Sequence, residues 1–350
     1  MDKCLKLLAV FCFNISIVGL NAYPNVSILS GSGSMSPENW ATSQGRFWDE
    51  QDWRAGDFDG DGKDDLARVF RDGRNVSIDV YRSNGKTFTM ERWTLQQGRF
   101  WDEQHWRAGD FDGDGKDDLA RVFRDGRNVS IDVYRSNGKA FTMENWTLQM
   151  GRFWDEQDWR AGDFDGDGKD DLARVFRDGR NVSIDVYRSG KKRFVLENRA
   201  LQKGRFWDEQ HWRAGDFDGD GKDDLARAFR DGRNVSIDVY RSGKNGFVLE
   251  NWAMQQGRFW DEQYWFAGDF DNDGADDIAR AFKDGRNSSI DIYRSDKTRF
   301  TIENRVQQQG RFWDEQYWRA GDFNGDGVDD VARAFRDDRN VSIDVYLSKN

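Results

Sequence analysis

Six segments of the chain carry aspartates in the pattern Asp-x-(Asp/Asn)-x-Asp-Gly-x-x-Asp. In the first segment Asp57, Asp59, Asp61 and Asp65 stand at positions 1, 3, 5 and 9. Carboxylates at this spacing can converge on one hard cation, with the backbone carbonyl at position 7 as a further ligand and the glycine at position 6 allowing a sharp bend. The EF-hand itself is excluded, because the glutamate it needs at position 12 is replaced by arginine and no flanking helix is indicated.

These loops predict about six bound calcium ions (Ca2+). A solvated acidic turn is the alternative, but carboxylates so close together are costly without a cation. Six divalent cations would also bring the formal net charge of −11 close to zero. The predicted ligands, including the position-7 carbonyls, are Asp57, Asp59, Asp61, Lys63, Asp65, Asp110, Asp112, Asp114, Lys116, Asp118, Asp163, Asp165, Asp167, Lys169, Asp171, Asp216, Asp218, Asp220, Lys222, Asp224, Asp269, Asp271, Asp273, Ala275, Asp277, Asp322, Asn324, Asp326, Val328 and Asp330.

The loops belong to a longer repeat, which begins at Gly45 and recurs every 53 residues. A fixed period of this length indicates a repeat architecture. The last copy is incomplete, and the segment before the first copy matches the missing part, with Glu38 and Trp40 at the expected repeat positions. We therefore expect an N-terminal strand to complete the last copy and close a ring. The copies span residues 45–97, 98–150, 151–203, 204–256, 257–309 and 310–350, the last completed by 33–44.

Each copy contains four short strand patterns and no helical one. In the first copy they cover residues 53–57, 66–70, 75–81 and 88–95, and residues 75–81 alternate as a strand with one buried face does. Four-stranded units repeated around an axis predict an all-β fold, a β-propeller of six four-stranded blades. A further copy of the third strand at residues 25–28 leaves seven blades as the alternative.

The N-terminal residues 1–22 combine lysines, a short apolar run and a small-residue site ending at Ala22. This predicts a secretory signal peptide followed by a single propeller domain over 23–350, with a buried N-terminal strand as the alternative. Both cysteines, Cys4 and Cys12, lie in that segment, so we expect a secreted, extracellular chain held together by calcium rather than disulfides. Later residues lack an apolar run long enough to insert into a membrane, and the acidic charge argues against nucleic acid.

The loops, their strand–loop–strand context and the repeat length resemble FG-GAP/VCBS repeats, the calcium-binding blades of integrin-α-type propellers. The resemblance covers residues 25–350. Among secreted members the chain is similar to the integrin-like mushroom lectins, which implies a calcium-stabilised propeller with sugar sites between its blades. Those lectins typically have seven blades, and the Gly-Arg-Phe-Trp-Asp-Glu-Gln-x-Trp segment of this chain is not a hallmark of the family.

That aromatic segment is the main indication of function. A tryptophan ring can cover the apolar face of a sugar while a guanidinium and carboxylates bond its hydroxyls. Packing between blades is the alternative, and it is favoured for Trp53 at the start of an inner strand. The predicted carbohydrate-binding residues are Arg46, Trp48, Arg99, Trp101, Arg152, Trp154, Arg205, Trp207, Arg258, Trp260, Arg311 and Trp313.

Catalysis is not predicted, because no asymmetric set of catalytic residues stands apart from the repeat. The position after Gln51 varies among the copies and holds both histidines, His105 and His211, so we expect it to face solvent. Six near-identical copies suit a multivalent lectin that binds cell-surface glycans or glycoproteins. The alternatives are a protein-binding adhesion propeller, or a cell-binding module that delivers a toxin or enzyme.

Overall fold

The structure is a computed structural model that describes residues 35–200 and 203–348. These residues form 24 β-strands in six four-stranded antiparallel sheets, which confirms the prediction of an all-β propeller with six blades. The predicted signal peptide and the extra strand copy at residues 25–28 lie outside the described residues. Nowhere in the described ranges is there a helix that is long and apolar enough to span a membrane.

Blades 1 to 5 have their four strands in chain order, from the inner strand at the axis to the outer edge. Blade 1 consists of β2 (Gln51–Gly56), β3 (Asp65–Asp72), β4 (Asn75–Ser83) and β5 (Phe88–Arg99). Blade 2 consists of β6 (Gln104–Gly109), β7 (Asp118–Asp125), β8 (Asn128–Ser136) and β9 (Phe141–Thr147). Blade 3 consists of β10 (Gln157–Gly162), β11 (Asp171–Asp178), β12 (Asn181–Gly190) and β13 (Arg193–Ala200).

The remaining blades repeat this arrangement. Blade 4 consists of β14 (Gln210–Gly215), β15 (Asp224–Asp231), β16 (Asn234–Arg241) and β17 (Val248–Ala253). Blade 5 consists of β18 (Gln263–Gly268), β19 (Asp277–Asp284), β20 (Asn287–Ser295) and β21 (Phe300–Arg311). Blade 6 consists of β22 (Gln316–Gly321), β23 (Asp330–Asp337), β24 (Asn340–Tyr346) and, from the start of the chain, β1 (Pro37–Ala41).

The third strand of each blade differs from its prediction. Alternation in β4 predicts one exposed polar face, yet Ser77 and Asp79 are as fully buried as Val76 and Ile78. A propeller blade packs against a neighbour on each of its two faces, so a strand in the middle of a blade has no solvent face. The polar residues of β4 must therefore find partners inside the protein.

The apolar core lies between the blades. Six clusters of buried side chains are present in the described residues, and each combines residues from two neighbouring blades. Trp53, for example, is completely buried and packs at 5.1 Å from the ring of Tyr81. This agrees with the packing role expected for it, because a large ring between two sheets fills the space that the blade twist leaves open.

The chain ends close the ring in the predicted way. Strand β1 pairs antiparallel with β24, and β2 of blade 1 contacts β22 of blade 6. Trp40 is buried against Phe88, and its indole Nε1 donates to Glu38 at 3.4 Å, as Trp93 does to Glu91 in the first full copy. The N-terminal strand therefore supplies the fourth strand that the last copy lacks.

Candidate functional site

Each acidic loop folds around its first carboxylate. Asp57 Oδ1 accepts hydrogen bonds from the backbone N–H groups of Gly60 at 2.8 Å and Asp61 at 3.1 Å, and its Oδ2 accepts from Gly62 at 2.9 Å. Gly62 has a φ of 81° with no atom near its missing Cβ, so the backbone conformation and not space requires glycine there. The bonds hold the loop in a tight turn whose carboxylates face inward.

The aspartates at positions 1, 3 and 5 come together in five loops. Their oxygens lie within 4.8 Å of one another in the groups Asp57–Asp59–Asp61, Asp110–Asp112–Asp114, Asp163–Asp165–Asp167, Asp216–Asp218–Asp220 and Asp269–Asp271–Asp273. The sixth loop has the same turn, with Asp322 Oδ1 accepting from Gly325 at 2.7 Å, but an asparagine replaces the middle carboxylate. Oxygen donors at this separation suit a hard divalent cation.

The aspartate at position 9 lies outside these groups of converging oxygens, but it is buried with one oxygen unpartnered among the described residues. Asp65 is completely buried; its Oδ1 accepts from the Ser83 N–H at 2.7 Å, while its Oδ2 has no hydrogen-bond partner among the described residues. Burial, together with the nearby charges of Asp59 and Asp61, raises the pKa of Asp65 to about 8. An unpartnered buried carboxylate oxygen is unfavourable unless a cation binds it. The equivalent unpartnered Oδ2 atoms belong to Asp118, Asp171, Asp224, Asp277 and Asp330.

An arginine on the end of the third strand was not identified from the sequence. Arg82 forms an ion pair with Asp59, and the same pair recurs in blades 2 to 5. In blade 6 both partners change together, because Leu347 replaces the arginine where Asn324 replaces the aspartate. This paired replacement was visible in the internal alignment of the copies. In blades 1 to 5 the arginine therefore binds one oxygen of the position-3 carboxylate.

The residue at position 7 also contacts the loop through its side chain. Lys63 Nζ lies 3.2 Å from Asp61 Oδ2, and its backbone N–H donates to Asp61 Oδ1 at 3.1 Å. Three further loops place a lysine near the position-5 aspartate in the same way. In the last two loops Ala275 and Val328 are buried instead. The ligand role of the position-7 carbonyl stays a prediction.

The aromatic segment forms a stack at the edge of each blade. The guanidinium of Arg46 lies 4.7 Å from the centre of the Trp48 ring, and that ring is parallel to Phe70 at 5.2 Å. Trp48 is therefore half-buried with stacking partners already in place, while Arg46 is exposed. Within the described ranges, none of the six equivalent arginines forms an ion pair through its side chain. The other five are Arg99, Arg152, Arg205, Arg258 and Arg311.

A buried arginine holds this segment in position. Arg68 is paired with Asp79 inside the blade, and its Nη1 donates to the backbone carbonyl of Arg46 at 2.6 Å. The hydroxyl of Tyr81 donates to the carbonyl of Gln44 at 2.8 Å. The buried polar face of the third strand thus finds its partners here. Arg68 is buried because the blade faces are covered by their neighbours.

Clefts open between neighbouring blades beside this segment. One of about 410 Å³ lies between blades 3 and 4, and an equivalent cleft lies between blades 1 and 2. The first contains the carboxylates of Asp155 and Glu156 together with Trp207. Two buried donors on its wall, Gln157 Nε2 and Trp212 Nε1, have no hydrogen-bond partner among the residues described. The cleft therefore offers carboxylates and an aromatic ring to a polar ligand, and two unpartnered donors are buried in its wall.

The variable position beside the inner-strand tryptophan does not face bulk solvent. His105 is half-buried and lies against the ring of Phe153, and burial, reinforced by Arg107, lowers its pKa to about 4. The charges acting on it include Asp52 and Asp158 from the two adjacent blades. The position therefore lines the axis of the ring, and the expectation of solvent exposure is wrong.

A second axial ring is formed by the first aspartate of each Asp-Asp pair in the loops. Asp117 Oδ2 accepts from the Asp57 N–H at 3.0 Å, and Asp64 accepts likewise from Asp322 at 3.0 Å. A Cβ on Gly56 would lie 2.2 Å from Asp117 Oδ2, which explains the glycine in this position. Burial raises the pKa of Asp64 to about 7. This ring ties each blade to the next, and the Asp-Asp doublet was its sequence signal.

Comparison with known proteins agrees with this architecture. The FG-GAP-like repeat family matches residues 57–121, 110–174 and 163–227. No curated protein matches the chain in sequence. The fold is similar to part of the Tc holotoxin pore of Photorhabdus luminescens, with a TM-score of 0.59 and 15% identity over 90% of this chain; the chain spans 15% of that toxin chain.

It is also similar to a triple arginine-to-alanine mutant of AofleA from Arthrobotrys oligospora, with a TM-score of 0.55 and 10% identity, over 89% of this chain and 87% of that chain. At these identities the two structures support the fold alone. Residues 57–227 thus match FG-GAP-like repeats, within a chain that folds as a six-bladed β-propeller.

Proposed function

We propose that this protein is a secreted, calcium-stabilised lectin, a multivalent carbohydrate-binding protein without catalytic activity whose sites lie between its blades. The observation that carries the carbohydrate assignment is the inter-blade cleft. It combines an aromatic ring, carboxylates and two buried donors that lack a partner among the described residues. Sugars offer acceptors, donors and an apolar face to such a surface.

Calcium would act on the blades and not on the sugar. The ligands would be the aspartates at positions 1, 3, 5 and 9 of each loop, with the unpartnered oxygen of Asp65 as the buried one. Bound calcium would neutralise the crowded carboxylates and hold the connection between the first and second strands of a blade. The clefts instead contain the aromatic segment, which is held by Arg68.

The six exposed arginines test the sugar contacts predicted from the sequence, although they do not line the walls of the two clefts described above. They carry no ion pair within the described residues and do not support the core, so their removal should leave the fold intact. Trp48 is a poorer probe, because it packs on Phe70. In the AofleA mutant the three substituted arginines recur at the interval of the repeat described here.

The test is a glycan array with the purified chain, in calcium and in chelator. We expect calcium-dependent binding to a coherent set of glycans, and loss of that binding when all six arginines are replaced by alanine with the melting temperature unchanged. The matched control removes six other exposed cations: Lys86, Lys139, Lys191, Arg193, Lys244 and Arg299.

The control separates recognition from loss of charge. If the six-arginine variant and the control variant lose glycan binding equally, the contact is only electrostatic attraction and the cleft is not a sugar site. If the folded native chain binds no glycan, the carbohydrate assignment fails. Protein adhesion, or delivery of a toxin or enzyme, would then be the function to test.

A further inference from the structure

Five arginines converge on the axis of the propeller. Each follows the buried tryptophan of its own inner strand and donates its Nε to the tryptophan carbonyl of the next blade. Arg54 reaches Trp106 O at 2.6 Å, and Arg319 closes the ring by reaching Trp53 O at 2.7 Å. The full set is Arg54, Arg107, Arg160, Arg213 and Arg319, with Phe266 at the sixth position.

These side chains share one space, although they come from blades around the whole ring. The charges that act on Arg213 of blade 4 include Arg107 of blade 2 and Arg319 of blade 6, which are not its neighbours. Arg319 is likewise affected by Arg160 of blade 3, on the opposite side. The guanidinium groups therefore face one another across a central channel.

Among the described residues, two carboxylates pair with these five arginines. Asp52 forms a bidentate pair with Arg54 at 2.7 and 2.8 Å and lies 3.4 Å from Arg319. Asp158 forms the same bidentate pair with Arg160 at 2.6 and 2.8 Å and lies 3.2 Å from Arg107.

Arg213 has no carboxylate partner among the described residues; it donates to the carbonyls of Trp212 and Trp265. A guanidinium has five N–H groups, so these bonds leave donors of Arg213 unused. The two histidines add no charge at neutral pH, since the pKa of His105 and His211 is lowered to about 4. The five arginines and two aspartates thus leave three positive charges in excess at this level, while the axial ring that contains Asp64 and Asp117 lies at the end of the same inner strands.

Such an excess is costly in a confined space. Burial and mutual repulsion lower the pKa of Arg213 well below its usual range and that of Arg319 to about 9. Arginine nevertheless stays protonated in proteins at neutral pH. Arg213 is half-buried, so an anion bound beside it would relieve this repulsion.

We propose that the central channel binds a small tetrahedral oxyanion, such as inorganic phosphate or sulfate, with Arg213 as its principal ligand and Arg107 and Arg319 beside it. A doubly charged anion would offset most of the excess charge, and the planar guanidinium bonds two oxygens at once. The site is separate from the inter-blade clefts and from the acidic loops. It does not depend on the proposed lectin function.

The probe is inorganic phosphate, titrated calorimetrically into the calcium-loaded full chain, with melting temperatures in phosphate and in chloride at equal ionic strength. The variant is Arg213→Phe, because the chain already carries Phe266 at the equivalent position of blade 5. The matched control is Arg193→Phe on the exposed surface. Phosphate stabilises folded proteins in general, and this effect should be the same in both variants. A difference between the variants therefore reports binding at the site.

We expect the native chain and the Arg193 variant to bind phosphate saturably, with a higher melting temperature in phosphate. Arg213→Phe should bind at least about tenfold more weakly, as the loss of charge-assisted bonds predicts. It should also melt at least as high as the native chain in chloride, since it removes one uncompensated charge.

Two results would overturn the proposal. One is the absence of phosphate binding by the folded native chain. The other is an equal phosphate-induced rise in melting temperature for the native chain and Arg213→Phe, which would assign Arg213 a structural role only.

Discussion

Replacement of Asp65 by asparagine is expected to have opposite effects on stability with and without calcium. In the folded chain Asp65 is completely buried, with one oxygen bound by Ser83 N–H and the other unpartnered. Asparagine keeps the shape but carries no charge. With calcium present the variant loses a ligand and its free energy of unfolding should fall; in chelator it loses an uncompensated carboxylate and the free energy should rise.

The magnitude follows from the pKa of this group. The pKa is 3.8 in the reference state and about 8 in the folded chain without a cation, so between these values the folded chain holds a proton that the unfolded chain releases. Stability without calcium therefore falls as pH rises through this window. At neutral pH the cost is about 4 kcal/mol for one loop. Several such loops would outweigh the ~5–15 kcal/mol that keeps a domain folded.

The assay is urea unfolding followed by tryptophan fluorescence, in excess calcium and in chelator, at neutral pH and about pH 5.5. We expect chelator to destabilise the native chain strongly at neutral pH and less at the lower pH. For Asp65→Asn, the free energies of unfolding in calcium and in chelator should differ by a few kcal/mol less than they do for the native chain. The control is Asp102→Asn, whose side chain is 92% exposed. A shift of the same sign in both conditions would refute the reasoning.

Three further predictions concern stability and use urea unfolding in calcium. Trp40→Ala should cost about 3–5 kcal/mol, because it empties the packing of β1 on blade 1; an unchanged midpoint would contradict closure by the N-terminal strand. Asp79→Ala should cost about 3–5 kcal/mol by leaving Arg68 buried without its partner, whereas Asp79→Leu with Arg68→Met should recover much of this; equal losses would show that the ion pair is not the cause. Asp59→Asn with Arg82→Leu reproduces the arrangement in blade 6 and should be less destabilising than Asp59→Asn alone; the reverse order would show that the pair is not a unit.

Local chemistry in the sequence was sufficient to predict the blades and loops. These elements depend on turn residues, strand patterns and acidic loops, which act over a few neighbouring residues. The sequence of each copy therefore predicts the local structure of that copy. The match of Glu38 and Trp40 to the repeat also indicated which strand closes the ring. The carboxylates at positions 1, 3 and 5 converge for the same reason, because the turn that unites them lies within the loop.

What the sequence did not reveal depends on contacts between copies. Burial of Asp79 and Arg68 requires a second blade against a face that alternation alone marks as exposed. The axial arginines are scattered along the chain at the repeat interval, and only closure of the ring brings Arg213 within range of the charges of Arg107 and Arg319. Local pattern thus determined the strands and loops, whereas the tertiary structure decided which faces are buried and which charges meet, because burial and electrostatic compensation depend on distance in space and not on separation along the chain.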